Sequence, residues 1–423
     1  MKRLSYIKIV LCSLGVAAAT AAWAQTPPPP TILYGTTTLL APTNEFAVAT
    51  TLPTPDNPRA QYVVVAEAND NKDLEVLAWH DTTSSLDPLT GHGIAGHQGV
   101  VSVAVAGLDS CRVVTADINK EGVLSVHTWN VGPEGVVSQR AYRTAAATAS
   151  QDVQIAAVSF NEVVTVYETT AGNLVVEAWT IGGDGLPAPK AVLGTGPKVF
   201  EASIATISPH RVVTAAGDSA ETLWVNTWDI DSAGVKPLHQ VVTKNAISTG
   251  CLAAPRSQTV AAGAGRSFEL TPHYGFVRAA FTPVITPGCQ LQVYYWDVSD
   301  GGVLTLQSIT TPTEAGDFVQ VAATMLPRNI PITSYDGGTG DNHVFIEQYL
   351  GFKLVDLSAV SYGDPYGVLN IASATAGTDF SYLSLFEPYN AYFISAGQFN
   401  PAESTPDGTV YINVLSYPEA PIL

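Results

Sequence analysis

Apolar and polar residues alternate in short runs along most of the chain, and the runs recur. Four segments read almost alike: Val63-Val64-Val65-Ala66, Val113-Val114-Thr115-Ala116, Val163-Val164-Thr165-Val166 and Val212-Val213-Thr214-Ala215. Each is followed 13 residues later by a tryptophan: Trp79, Trp129, Trp179 and Trp228. Ahead of each tryptophan, apolar residues stand five and three positions upstream: Leu74 and Val76, Leu124 and Val126, Leu174 and Val176, Leu223 and Val225. A period of two is the mark of a β-strand with unlike faces. Three weaker copies follow, on Leu291, Val293 and Trp296, on Val344, Ile346 and Tyr349, and on Val410, Ile412 and Leu415.

The second copy shows the unit: strands over 101–106, 112–117, 124–131 and 136–142, separated by turns. Four antiparallel strands in about 50 residues, repeated seven times, is the arithmetic of a β-propeller. No amphipathic helical pattern separates the copies, which argues against helical solenoids and parallel β-α-β folds. A tandem of β-sandwiches is the structural rival. The expected fold class is therefore all-β, a seven-bladed β-propeller of four-stranded antiparallel blades, occupying residues 31–423 as one domain. The seventh copy ends at its third strand near Ser416, whereas 31–41 is strand-like and has no copy of its own. Placed as the fourth strand of the last blade, this N-terminal segment closes the ring and hides an edge that would otherwise template aggregation. The repeated tryptophans fall at one register of every third strand, so packing between blades is their expected role, and sugar stacking is not.

Residues 1–24 carry Lys2, Arg3 and Lys8, an apolar run over 9–19 and the small-x-small end Ala22-Trp23-Ala24. That is the layout of a secretory signal peptide. Residues 25–30 are a Pro-rich spacer, and no other segment is long and apolar enough for a membrane span. The protein is expected to be secreted or periplasmic, without membrane insertion. Removing the signal leaves 16 of the 19 basic residues against 37 acidic ones, a formal net charge of about −21. Such acidity disfavours nucleic acid and anionic membrane surfaces as partners; it suits solubility or cation binding. Cys111, Cys251 and Cys289 are too few for a disulfide scaffold or a zinc site. If one bridge forms, Cys251 and Cys289, which bracket an irregular stretch, are the pair to expect, leaving Cys111 as a buried free thiol at a strand start.

The loops between second and third strands, and those joining one blade to the next, share one face of a propeller. From second strand to aromatic anchor the spacing rises to 16 from Ala280 to Trp296, 15 from Ser334 to Tyr349 and 19 from Ala396 to Leu415. The connections over 241–266 and 357–378 also swell, while turns on the opposite face, 387–390 included, stay short. Loops on a rigid scaffold carry function. The candidate ligand-binding residues are therefore Asp336, Asp341, His343, Tyr362, Asp364, Tyr366, Asn400 and Glu403, with an extracellular glycan or protein as partner and a monomeric state.

An acidic residue also precedes the first strand of several copies: Glu45-Phe46, Asp152-Val153, Asp317-Phe318 and Asp379-Phe380. If Glu45, Asp152, Asp317 and Asp379 meet at a channel mouth, their repulsion calls for a cation, and calcium is the candidate cofactor. His92 and His97 share one loop, but their spacing fixes no metal geometry without a helix. No nucleophile elbow, zinc-binding helix or phosphate loop is present, so no catalytic residue is assigned.

The run Arg112-Val-Val-Thr-Ala-Asp117, Gly122-Val-Leu-Ser-Val-His-Thr-Trp-Asn-Val131 and Gly135-Val-Val resembles the repeat layout of bacterial lactonase-like and YVTN-type propellers over the first four or five copies. The Pro-Asp-Gly-ended link of that family is missing, and none of its lactonase residues maps onto this chain. The resemblance implies the fold, and it supplies the alternative function: a lactonase-like or other hydrolase working at the acidic channel mouth.

Overall fold

The computed structural model describes residues 31–39, 46–52, 62–69, 71–82, 85–96, 99–144, 149–248, 258–267, 275–311, 321–326, 330–336, 343–350, 353–361, 368–378, 390–399 and 409–418. After β1 (Thr31–Leu39) come β2 (Phe46–Thr50), β3 (Tyr62–Ala68), β4 (Leu74–Asp81), β5 (Leu86–Pro88) and β6 (Gly93–Ala95). The next sheet holds β7 (Val100–Gly107), β8 (Arg112–Asn119), β9 (Leu124–Gly132) and β10 (Gly135–Thr144). A third holds β11 (Ala149–Ser159), β12 (Glu162–Thr169), β13 (Asn173–Ile181), β14 (Pro187–Pro189) and β15 (Gly194–Lys198). The fourth is β16 (Glu201–Ser208), β17 (Arg211–Gly217), β18 (Leu223–Ile230) and β19 (Val235–Thr243), and the fifth β20 (Ala261–Ser267), β21 (Gly275–Ile285), β22 (Leu291–Val298) and β23 (Leu304–Thr310). The sixth is β24 (Val321–Leu326), β25 (Ile330–Asp336), β26 (His343–Leu350) and β27 (Lys353–Ser361); β28 (Val368–Thr378), β29 (Asn390–Phe399) and β30 (Thr409–Pro418) end the described chain.

Each sheet is an antiparallel meander in chain order, except the last, whose order is β1-β30-β29-β28. Thr31 pairs with Ser416 and Leu39 with Thr409, so the N-terminal strand lies beside the C-terminal one. The first strands are neighbours in sequence order: β7 lies against β2 and β11, β16 against β11 and β20, β24 against β20 and β28, and β28 against β2.

Where burial is described, both faces of the inner strands are largely apolar, because a sheet there has a neighbour on each side. Trp129 packs among Val64, Ala66, Leu74 and Val76 of the sheet before it. Trp179 does the same with Val114, Ala116, Leu124 and Val126, Trp228 with Val164, Val166, Leu174 and Val176, and Trp296 with Val213, Ala215, Leu223 and Val225. Burying an indole removes roughly 150–250 Å² from water, an upper bound of about 4–6 kcal/mol each. Every one of these indole N–H groups donates to a threonine 14 residues earlier: Thr115 at 2.9 Å, Thr165 at 3.0 Å, Thr214 at 2.9 Å and Thr282 at 3.1 Å. In the first sheet Val65 stands at the threonine's place.

That hydrogen bond corrects the register of the fifth copy. Trp296 pairs with Ala280 and bonds Thr282, as Trp129 pairs with Val113 and bonds Thr115. Pro283 thus takes the place of Ala116, the spacing to the tryptophan is again 13, and the turn over 286–290 has the ordinary five residues. The misreading has a physical source: Ala279 to Ile285 is buried throughout, so its apolar pattern cannot mark where the turn begins.

These five-residue turns are built alike. Asn69, Asn119 and Asp218 each accept two hydrogen bonds from backbone N–H groups of their own turn, at 2.8–3.1 Å. The fourth residue is left-handed, with φ 58° at Lys72, 76° at Gly122, 60° at Glu221 and 55° at Cys289. Its carbonyl then accepts the N–H of the connection to the next sheet: Lys72 from Val100, Gly122 from Ala149, Gly172 from Val199 and Glu221 from Ala246, at 2.7–2.9 Å. Turn and connection therefore share one side of the molecule.

The seventh copy differs from expectation on the opposite side. Its innermost strand is Val368–Thr378, with Thr378 paired to Ala391, so no short turn at 387–390 joins a strand beginning at Phe380. The sequence-based placement followed the local Asp-Phe match; the long pairing of β28 with β29 overrides it.

Candidate functional site

The hairpins between second and third strands set the outline of the site. In the second sheet Ile118 pairs with Leu124, enclosing five residues. In the sixth, Asp336 pairs with Val344 and encloses seven; in the last, Gln398 pairs with Val410 and encloses eleven. Asp336 at the end of β25 and His343 at the start of β26 are brought to the same hairpin mouth. Asp341, Tyr362, Asp364, Tyr366, Asn400 and Glu403 lie outside the described residues: Asp341 in that loop, Tyr362 to Tyr366 between β27 and β28, and Asn400 and Glu403 between β29 and β30.

The register of the innermost strands separates the four acidic residues into two groups. Phe46, Val103, Val153 and Ala202 hold one register position, opposite the fifth residue of the second-strand motif. The residues just ahead of them are Glu45, Ser102, Asp152 and Glu201. Val321 and Ile371 hold that position in the last two sheets, preceded by Gln320 and Asn370. Asp317 and Asp379, themselves outside the described residues as Glu45 is, are therefore not the counterparts of Asp152, and Asp379 follows the end of an innermost strand instead of preceding one. Sequence reading missed Glu201, whose following residue is Ala202 in place of a bulky apolar one.

Asp152 has structural work at this position. Its Oδ2 accepts the N–H of Ala202 in the next sheet at 3.5 Å, and its Oδ1 accepts from Gln154 Nε2 at 3.3 Å. Ser102 Oγ likewise accepts the N–H of Val153 at 3.1 Å. Side chains at this register stitch one innermost strand to the next. Among the described residues no three His, Cys, Asp or Glu side chains are placed to hold a metal ion.

His92 is engaged by Glu75, Nδ1 to Oε1 at 2.6 Å; His97 lies outside the described residues. Cys289 is disulfide-bonded. Cys111 is free but exposed in the turn between β7 and β8, a correction to the buried thiol expected there: this residue lies just before the strand, outside its buried run.

Two buried titratable pairs were not singled out from the sequence. His127 Nε2 stands 2.9 Å from Asp117 Oδ1 with both side chains wholly buried. Tyr167 donates to Glu177 Oε2 at 3.3 Å, and burial pushes the Glu177 carboxyl up to about 7. Both His127 and Glu177 pair across strands with the threonine that binds the tryptophan, and Asn226 and Tyr294 hold the same place in the next two sheets. The available signal was a polar residue two before four of the five tryptophans, Leu77 taking that place before Trp79.

No protein-family model and no curated protein matches the chain. Solved structures do. The WD40 domain of coronin from Toxoplasma gondii superposes with a TM-score of 0.50 at 9% identity, over 94% of this chain and 91% of that one. The fucose-specific lectin of Aleuria aurantia gives 0.48 at 12% identity, over 78% and 99%, and AofleA from Arthrobotrys oligospora 0.45 at 10%, over 78% and 90%. At such identities the coronin likeness shows the fold alone, and the two lower scores carry no argument. The class is that of all-β propellers made of four-stranded antiparallel sheets.

Proposed function

We propose that the protein is an exported seven-bladed propeller, closed by its own N-terminal strand, that recognises an extracellular glycan or protein through the loops of its last blades. The pairing of β1 with β30 and the neighbour order of the first strands support closure. The signal-like residues 1–24 support export. The observation that carries recognition is the lengthening of the hairpins to seven and eleven residues on the side where turns and connections meet. The fifth blade joins through the connection before it, since its own hairpin is ordinary.

Recognition is tested by replacing 337–343 and 399–409 with the five-residue turn 119–123 and screening both proteins on a glycan array and against candidate envelope proteins. The native chain is expected to bind and the shortened one to lose binding with an unchanged melting temperature. Turnover of a lactone by the native chain, retained after shortening, would overturn the reading in favour of a hydrolase at the channel mouth.

A further inference from the structure

Five described tryptophans, Trp79, Trp129, Trp179, Trp228 and Trp296, are consumed by packing at one register. Trp224 is the exception. It stands four residues before Trp228 on β18, where the first, second, third and fifth sheets carry Glu75, Ser125, Val175 and Gln292 and the last two Phe345 and Tyr411, so no second indole recurs there. It is half-buried, resting on the cluster that contains Leu174 and Val176 of the third sheet. The geometry points to a second ligand site, for a neutral saccharide, on the outer side of the cleft between the third and fourth sheets, with Trp224 as its platform. It is independent of the loop site proposed above.

The platform is held in place before any ligand arrives. Trp224 Nε1 donates to Asp218 Oδ2 at 2.9 Å, while Asp218 Oδ1 accepts from Ala220 and Thr222 in the turn. Across the outer strand, on the same face, Val242 is 43% exposed. Two residues along, Gln240 is exposed and its Nε2 donates to Oδ1 of the buried Asn226 at 2.8 Å. That bond fixes the Gln240 amide with its Oε1 left over as an acceptor. β15 of the third sheet lies against β19 and forms the opposite wall.

A rigid aromatic face beside an aliphatic one, with an oriented amide oxygen at its edge, matches a pyranose ring: C–H groups on one face, hydroxyl donors around the rim. Rigid apolar walls with few placed polar groups are the general design of small-ligand sites, and preorganisation spares the ordering cost. The charge of −18 sets the class further, since it disfavours anionic sugars.

The test titrates the full-length exported chain with the methyl glycosides of glucose, galactose, mannose and fucose, read by saturation-transfer NMR. At least one is expected to bind saturably, with Trp224→Ala weakening it at least ~10-fold, Trp224→Phe keeping it within about threefold, and Gln240→Ala weakening it about three- to fivefold. Should Trp224→Ala not fold, the exposed Gln240 substitution decides. Binding by none of the four glycosides, or affinities unchanged in the variants that fold, overturns the proposal. The variant with shortened hairpins in the last two blades is expected to keep this binding, so a failure here and a failure of the loop site are read separately.

Discussion

Glu177 is a carboxylic acid buried two residues before Trp179 on β13. Burial pushes its carboxyl up, and its hydroxyl partner Tyr167 is itself pushed upward by burial and by Glu177. With the folded-state value near 7 against an ordinary 4.5, the unfolded chain ionises first as pH rises. Stability is therefore full below about pH 4.5, is lost progressively up to about 7, and levels off above, for a total near 3 kcal/mol. Glu177→Gln should remove this dependence. Urea midpoints of both proteins from pH 4.5 to 8.5 are expected to diverge as pH rises, with the glutamine variant the more stable at pH 8; parallel curves would show that the carboxyl is solvated. From sequence alone, Glu177 is one polar residue in an alternating strand. Only the burial of both faces of that strand makes it exceptional.

At the scale of the strand and its neighbours, the tryptophan is the piece that organises each interface. Short outer strands fit over it only where they lack a side chain: a Cβ added at Gly93 would stand 2.6 Å from the Trp129 ring, and one at Gly194 2.9 Å from that of Trp228. Gly93→Ala is expected to cost about 1–3 kcal/mol by overpacking, whereas Gly96→Ala, with open space around it, should be near neutral. Equal melting temperatures for the two would refute this packing. Trp179→Ala should cost roughly 3–5 kcal/mol through the cavity it leaves. At the inner strands, Asp152→Ala should lower stability by about 1 kcal/mol through the lost stitch to Ala202; a calcium-dependent rise in melting temperature that Asp152→Ala abolishes would instead assign this carboxylate to a cation site. These elements were largely legible in the sequence, because the 13-residue interval and the Leu-x-Val rhythm survive in four copies. The fifth slipped by three residues, since an unbroken apolar strand carries no period to count.

For the whole molecule, the repeat supplied the architecture and the orphan strand at 31–39 supplied the partner of β30, both from sequence. The equivalence of Asp317 and Asp379 with Asp152 was the part that did not carry over, because Asp-Phe pairs resemble one another locally while strand register is decided by pairing across the sheet. The proposed loop site rests on closure, which would set the last sheets beside the first. The direct test joins the chain ends covalently. Thr36 and Ile412 are paired across β1 and β30, a separation that a disulfide can span. In a Cys111→Ser background, Thr36→Cys with Ile412→Cys is predicted to form an intramolecular bridge in the monomer on mild oxidation and to raise the melting temperature. Failure to bridge, or bridging only between two molecules, would contradict a ring closed by the N-terminal strand.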